Sequence, residues 1–185
     1  MCTRVDFGPK RSDSVPMNAI LRLLRLLVLA AGFGLFVGAS AAPEYPKQGP
    51  DIYDTQADGS AQIAAALAQA ASQHKRVLLD FGANWCPWCH KLHHTFTTDP
   101  AVAAALARDY VLVMIDVNTR RGAPRNAAVD ERYGHPIQHG LPVLVVLDAD
   151  GTQLATQETG ALENGRGGHD PAKILRFLAQ WSDAK

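Results

Sequence analysis

The stretch that most constrains this chain is a junction between two kinds of local structure. The run Val77-Leu78-Leu79-Asp80-Phe81, apolar except for Asp80, leads into Trp85-Cys86-Pro87-Trp88-Cys89-His90. A short apolar run without polar alternation is the pattern of a central strand covered on both faces. Pro87 then suits the first turn of a helix, where a missing N–H costs nothing. Two cysteines two residues apart, where a buried strand gives way to a helix, can pass between dithiol and disulfide with little backbone movement. Redox chemistry on an α/β scaffold is the leading reading.

Cysteine usage sharpens it. From Ile20 onward the chain carries Arg22 and Arg25, an apolar run from Leu26 to Val37, and then Gly38-Ala39-Ser40-Ala41-Ala42 before Pro43. A positive flank, a short apolar core and small residues form the pattern of a secretory signal peptide, here residues 17–42, with cleavage after Ala41 or Ala42. The uninterrupted apolar stretch is shorter than the roughly 18 to 20 residues of a spanning helix. Residues 1–16 are polar and unlike a signal start, which makes Met17 a candidate initiator and the first sixteen residues a mis-called or disordered leader. Export then removes Cys2 and leaves only Cys86 and Cys89. An exported chain with one close pair is not a disulfide-stapled scaffold, so the pair is there for chemistry.

Residues 43–57, with three prolines and little periodicity, read as an extended lead-in that has the option of lying against the domain. The domain itself spans residues 58–185. Ile63, Ala66, Leu67 and Ala70 recur at helical spacing, with Asp58 or Ser60 to cap. After the cysteine helix, Asp99 caps and Pro100 starts another helix through Asp109, and Tyr110 to Val117 reads as a second buried strand. A short helix near Asn126 to Tyr133 precedes a strand from Leu141 to Leu147. Asp148-Ala149-Asp150-Gly151 turns it into a partner from Thr152 to Thr159. A Gly-rich loop from Glu163 to His169 ends at Asp170, which caps a helix with Pro171 in its first turn and Ile174, Leu175, Leu178 and Trp181 on its core face. The order αβαβαββα on a mixed central sheet is an α/β sandwich. With 18 basic against 18 acidic residues in 185, no basic surplus exists to hold phosphates, which argues against nucleic acid as a partner.

Four features in sequence carry a family resemblance: Asp80-Phe81 ahead of the first cysteine, the box Trp85-Cys86-x-x-Cys89, the segment Thr95-Phe96 to Asp99-Pro100-Ala101-Val102, and Gly140-Leu141-Pro142 opening a strand. In these the chain resembles the thioredoxin superfamily, and most closely the C-terminal domain of the bacterial membrane disulfide reductase that feeds electrons to the periplasm. The resemblance covers Lys75 to Trp181. It implies a thioredoxin-like fold, a periplasmic location, disulfide-bearing exported proteins as substrates, and a thiol electron donor such as a membrane reductase; a monomer is expected. It also implies a cis-proline at Pro142 facing the dithiol, and an acid at Asp80 that carries protons to and from the resolving cysteine. The segment His135-Pro136-Ile137-Gln138-His139 is longer than the connection usual in such proteins.

The residues support that chemistry on their own terms. Cys86, at a helix N-terminus, gains unpaired N–H groups and the positive end of the helix dipole, which favour a thiolate. Cys86 is therefore expected to be the exposed nucleophile and Cys89, one turn inside, the buried resolving thiol. Asp80, inside an apolar strand, is expected to have its pKa raised by desolvation. Trp85, Pro87, Trp88, Leu141 and Pro142 are the expected substrate-docking surface, with Trp88 the more exposed tryptophan. His90, His93 and His94 share one helix, and a histidinium near Cys86 would make the pair more oxidising. No cofactor is expected beyond the cysteine pair. The rival readings are a dithiol oxidase or isomerase, a Cu(I)-binding protein, and a c-type haem protein, since Cys86-Pro87-Trp88-Cys89-His90 also fits C-x-x-C-H.

Overall fold

The computed structural model describes residues 49–118 and 124–182. The leader and signal-peptide readings fall on residues outside the described ones. Among the described residues no helix is long and apolar enough to cross a membrane.

Helix α1 (Gly59–Gln73) is capped by Asp58, whose side chain accepts the Ala61 N–H, and buries Ile63, Ala66 and Ala70. Strand β1 (Arg76–Gly82) follows, buried from Val77 onward. Helices α2 (Pro87–Thr98) and α3 (Pro100–Asp109) meet at Asp99, which ends one and caps the other by accepting the Ala101 and Val102 N–H groups. Then come β2 (Tyr110–Asp116), the short α4 (Ala127–Arg132), a 3-10 turn (Pro136–His139), β3 (Val143–Leu147), β4 (Gln153–Glu158) and α5 (Pro171–Trp181). Asp170 caps α5 through the Ala172 N–H.

The sheet runs β2-β1-β3-β4, with β1 parallel to β2 and antiparallel to β3, and β3 antiparallel to β4. This is the thioredoxin-like arrangement, a mixed sheet between helices. Side chains of a strand alternate between faces, and the core divides accordingly. Val77, Leu79 and Phe81 join Ile63, Ala66 and Ala70 of α1 on one face. Leu78 joins Leu92 and Phe96 of α2, Val102 of α3, and Ile174 and Leu178 of α5 on the other. Asp80 and Gly82 have the parity of Leu78, so β1 presents an acid and then a glycine to the face carrying α2.

Two expectations need correction. Strand β2 is an edge strand with mixed burial rather than a buried one, because among the described residues only β1 pairs with it. Strand β3 begins at Val143 rather than Leu141, following Gly140 at φ 95° and the cis Leu141–Pro142 peptide.

Candidate redox site

Cys86 is the N-cap of α2 in extended conformation, and its sulfur accepts the Cys89 N–H at 3.2 Å. The two cysteines form a disulfide, with Cα atoms 5.3 Å apart. Around them pack Tyr53, Ile52, Trp85, Trp88, Met114 and Leu141. The Leu141 carbonyl oxygen lies 3.7 Å from Cys86 Sγ, which brings the cis-proline loop against the disulfide as the resemblance implies.

The expected contrast in exposure between the two sulfurs is absent in this disulfide form. Cys86 is 3% exposed and Cys89 0%. The half-buried Trp85, Trp88 and Leu141 close over Cys86, and Pro87 is the exposed member of the box. Trp88 is thus no more exposed in class than Trp85. Its ring lies edge-on to His169, with centroids 5.5 Å apart at 82°, and Lys91 Nζ sits 4.1 Å from its centroid. Pro142 is buried, and its carbonyl accepts the Thr159 hydroxyl at 2.6 Å.

Beneath the disulfide the site is polar. Asp80 is fully buried and Tyr53 Oη donates to its Oδ1 at 3.0 Å. Among the described residues no group bonds Asp80 Oδ2. Burial pushes Asp80 up to about 7, against the opposing pull of the Tyr53 hydrogen bond. Tyr53, 1% exposed, is raised well above its usual value, first by burial and then by the Asp80 charge.

Tyr53 is held in place by Asn84. The Asn84 side-chain oxygen accepts the Ile52 and Tyr53 N–H groups, each at 2.9 Å, and its amide donates to the Tyr53 carbonyl at 2.9 Å. Gly82 supplies the room. A Cβ there would collide with the Tyr53 phenol and stand 2.8 Å from Cys89 Sγ.

Of the three helix histidines, His90 is half-buried with Nε2 2.9 Å from the Asn84 carbonyl oxygen, and His94 is exposed. His93 is half-buried and lowered by that burial and by His90 and His94. In the segment His135 to His139, His135 precedes the 3-10 turn (Pro136–His139) and is tied to α4 by the Asp130 carboxylate, which meets His135 Nδ1 at 3.0 Å.

Sequence reasoning missed Tyr53, Asn84, Gly82 and His169. A glycine closing a strand just before a cysteine box does signal close approach of another group. The proline-rich lead-in gave no sign that one of its aromatic residues enters the core.

A family model for thioredoxin-like proteins matches residues 58–149. The crystal structure of a disulphide isomerase from Xylella fastidiosa Temecula1 is 36% identical, with TM-score 0.61, covering 70% of this chain and 95% of that one. The chain belongs to the thioredoxin-like thiol-disulfide oxidoreductases. Within the thioredoxin superfamily it is also similar to two proteins called thiol:disulfide interchange protein DsbD. That of Vibrio vulnificus strain CMCP6 is 31% identical over 159 residues, and that of Ralstonia nicotianae 27% over 169. These alignments take in 82% and 83% of this chain but 24% and 27% of those proteins, so the chain spans about a quarter of the curated relatives' length.

Proposed function

We propose that the chain is a periplasmic thiol-disulfide oxidoreductase that reduces disulfides in exported proteins. The observation that carries this reading is the Cys86–Cys89 disulfide at the cap of α2, set over a buried acid. In the reduced protein the Cys89 N–H and the α2 dipole favour the Cys86 thiolate. That thiolate attacks one sulfur of a substrate disulfide, forming a mixed disulfide and expelling the first substrate thiolate. Cys89 gives its proton to Asp80 and attacks Cys86 Sγ, so the Cys86–Cys89 bond forms and the second substrate thiolate leaves. Two electrons pass to the substrate, whose thiolates take protons from water. A thiol donor, for which a membrane reductase of the DsbD kind is the natural class, returns the electrons. Leu141 and Pro142, with Trp85, Pro87 and Trp88, form the surface on which the substrate segment lies.

Residues 17–42 are proposed as the export signal, 43–57 as a lead-in, and 58–185 as the folded domain. The packing of Cys89 disfavours the haem alternative. Cys89 is 0% exposed at the centre of the apolar cluster, and His90 is engaged with the Asn84 carbonyl. The 36% identity to a protein called a disulphide isomerase favours isomerisation as the second reading.

Equilibration of Cys86 and Cys89 with glutathione tests the direction. A potential near the thioredoxin end, about −270 mV, supports a reductant, and one near about −120 mV overturns that assignment. Reshuffling of scrambled ribonuclease without net reduction would favour the isomerase. Fractionation of cells making the full chain tests the location.

A further inference from the structure

Asp80 binds its tyrosine through one oxygen and leaves the other unmatched among the described residues. The tyrosine does not come from the sheet or from α2. It comes from the lead-in, 27 residues before the acid, and Asn84 holds both its backbone N–H and its carbonyl, with a third hydrogen bond to the Ile52 N–H. Gly82 leaves the phenol and Cys89 Sγ packed over the same Cα. So much fixed geometry around one hydroxyl exceeds what filling a cavity requires, for which a phenylalanine would serve.

We propose that Tyr53 is a positioning residue for proton transfer at Cys89: its hydroxyl occupies Oδ1 of Asp80, stabilises the ionised carboxylate, and leaves Oδ2 as the proton-accepting atom. This rests on Asp80 being the acceptor for the Cys89 proton. An O–H donor favours the charged form of a carboxylate, so it opposes the effect of burial and keeps Asp80 able to accept at neutral pH. Tyr53 itself stays protonated, because burial and the Asp80 charge hold its own ionisation far above neutrality. The groups that face this pair are Cys89 of α2 and Asp116 at the end of β2, the latter paired with Arg125 at 2.7 Å. The lead-in is then a working part of the site, and the redox centre is completed by residues ahead of the helix that opens the domain.

The test is the reaction of the reduced full-length protein with 5,5′-dithiobis(2-nitrobenzoate) from pH 5 to 9. The first chromophore released reports attack by Cys86 and the second reports resolution by Cys89. Tyr53→Phe is expected to move the midpoint of the second phase upward by about one to two pH units, the size a charge-assisted hydrogen bond implies, with the first phase unchanged. Asp80→Asn should remove that midpoint, and the double variant should match Asp80→Asn alone. A Tyr53→Phe profile superimposed on the parent's, with Asp80→Asn altered, overturns the role of Tyr53 and leaves that of Asp80 standing. An unchanged Asp80→Asn profile overturns the Asp80 assignment itself. Should the phenylalanine variant fail to fold, protein labelled with a more acidic fluorotyrosine, a stronger donor, should move the midpoint downward. No movement there overturns the proposal equally.

Discussion

Asp80 and His169 are both buried ionisable residues that reach the disulfide through an aromatic ring, and they do so in opposite ways. Asp80 reaches it through Tyr53, which packs on Cys86 and Cys89 and donates a hydrogen bond to the acid. His169 reaches it through Trp88, on the rim of the same cluster, and offers that ring only an edge contact. Neither imidazole nitrogen of His169 bonds a described group. Burial therefore raises the acid to about 7, where it can exchange a proton at neutral pH, and lowers the base to about 4, with Lys91 adding to the fall. One side of the dithiol is equipped to take a proton. The other stays neutral and supports an aromatic surface.

If the two arms serve one centre, the largest effects come from the centre. Cys86→Ser should abolish disulfide reduction, a loss of at least about a thousandfold, since no thiolate remains to attack. Cys89→Ser should keep the first attack and accumulate mixed disulfides, visible as adducts on non-reducing gels. Adducts from the Cys86→Ser protein instead would reverse the roles of the two sulfurs.

The acid arm is next. With an ordinary value of 3.8 and a folded value of about 7, Asp80 holds its proton more tightly in the folded state. Its stabilising contribution is complete below pH 4, falls as the pH rises toward 7 and is flat beyond, a change of roughly 4 kcal/mol at 1.36 kcal/mol per unit. Asp80→Asn should remove that decline, so its urea midpoint at pH 8 should exceed the parent's while its resolving step slows by about 10²-fold or more. A decline that persists in the variant would separate the slope from this carboxyl.

Gly82 tests how tightly that arm is packed. Tyr53 cannot retreat from a new methyl without breaking its Asn84 bonds, and Cys89 Sγ stands 2.8 Å from the same point. Gly82→Ala should cost about 1–3 kcal/mol by overpacking, read from chemical denaturation. It should also carry the alkaline shift expected of Tyr53→Phe. A costless alanine would mean that the phenol is loosely held.

Why one arm was legible in the sequence and the other was not follows from the range of their contacts. The sheet, the helices and their caps at Asp58, Asp99 and Asp170 are written in local spacing, and so are the dithiol at the helix start and the buried acid of β1. Tyr53 meets Asp80 across 27 residues and Asn84 across 31, pairings that no periodicity records. His169 ends a glycine-rich loop whose sequence has no periodicity to mark a buried position. Its burial arises when the Glu163–His169 bridge folds that loop beside α2. Cys86 was misjudged for a related reason: a helix N-terminus suggests an open sulfur, whereas Leu141 and the lead-in cover it from distant parts of the chain.

The smallest effect on the redox reaction belongs to His169, and the sign of its effect on stability makes it decisive for the contrast. Its ordinary value is 6.5 and its folded value about 4, so the unfolded chain binds the proton more readily. The stability it contributes is present above pH 6.5 and is lost as the pH falls through 4, the reverse of Asp80. His169→Phe keeps a ring for the Trp88 edge and has nothing to protonate, so it should flatten the acid limb of the stability profile and leave the alkaline limb alone. Tryptophan fluorescence of the folded variant should stay close to the parent's, and the second-phase midpoint with the aromatic disulfide should not move. A midpoint that shifted with His169→Phe would couple the histidine to the proton held at Asp80, and the two sides of the dithiol would then be one electrostatic unit rather than two.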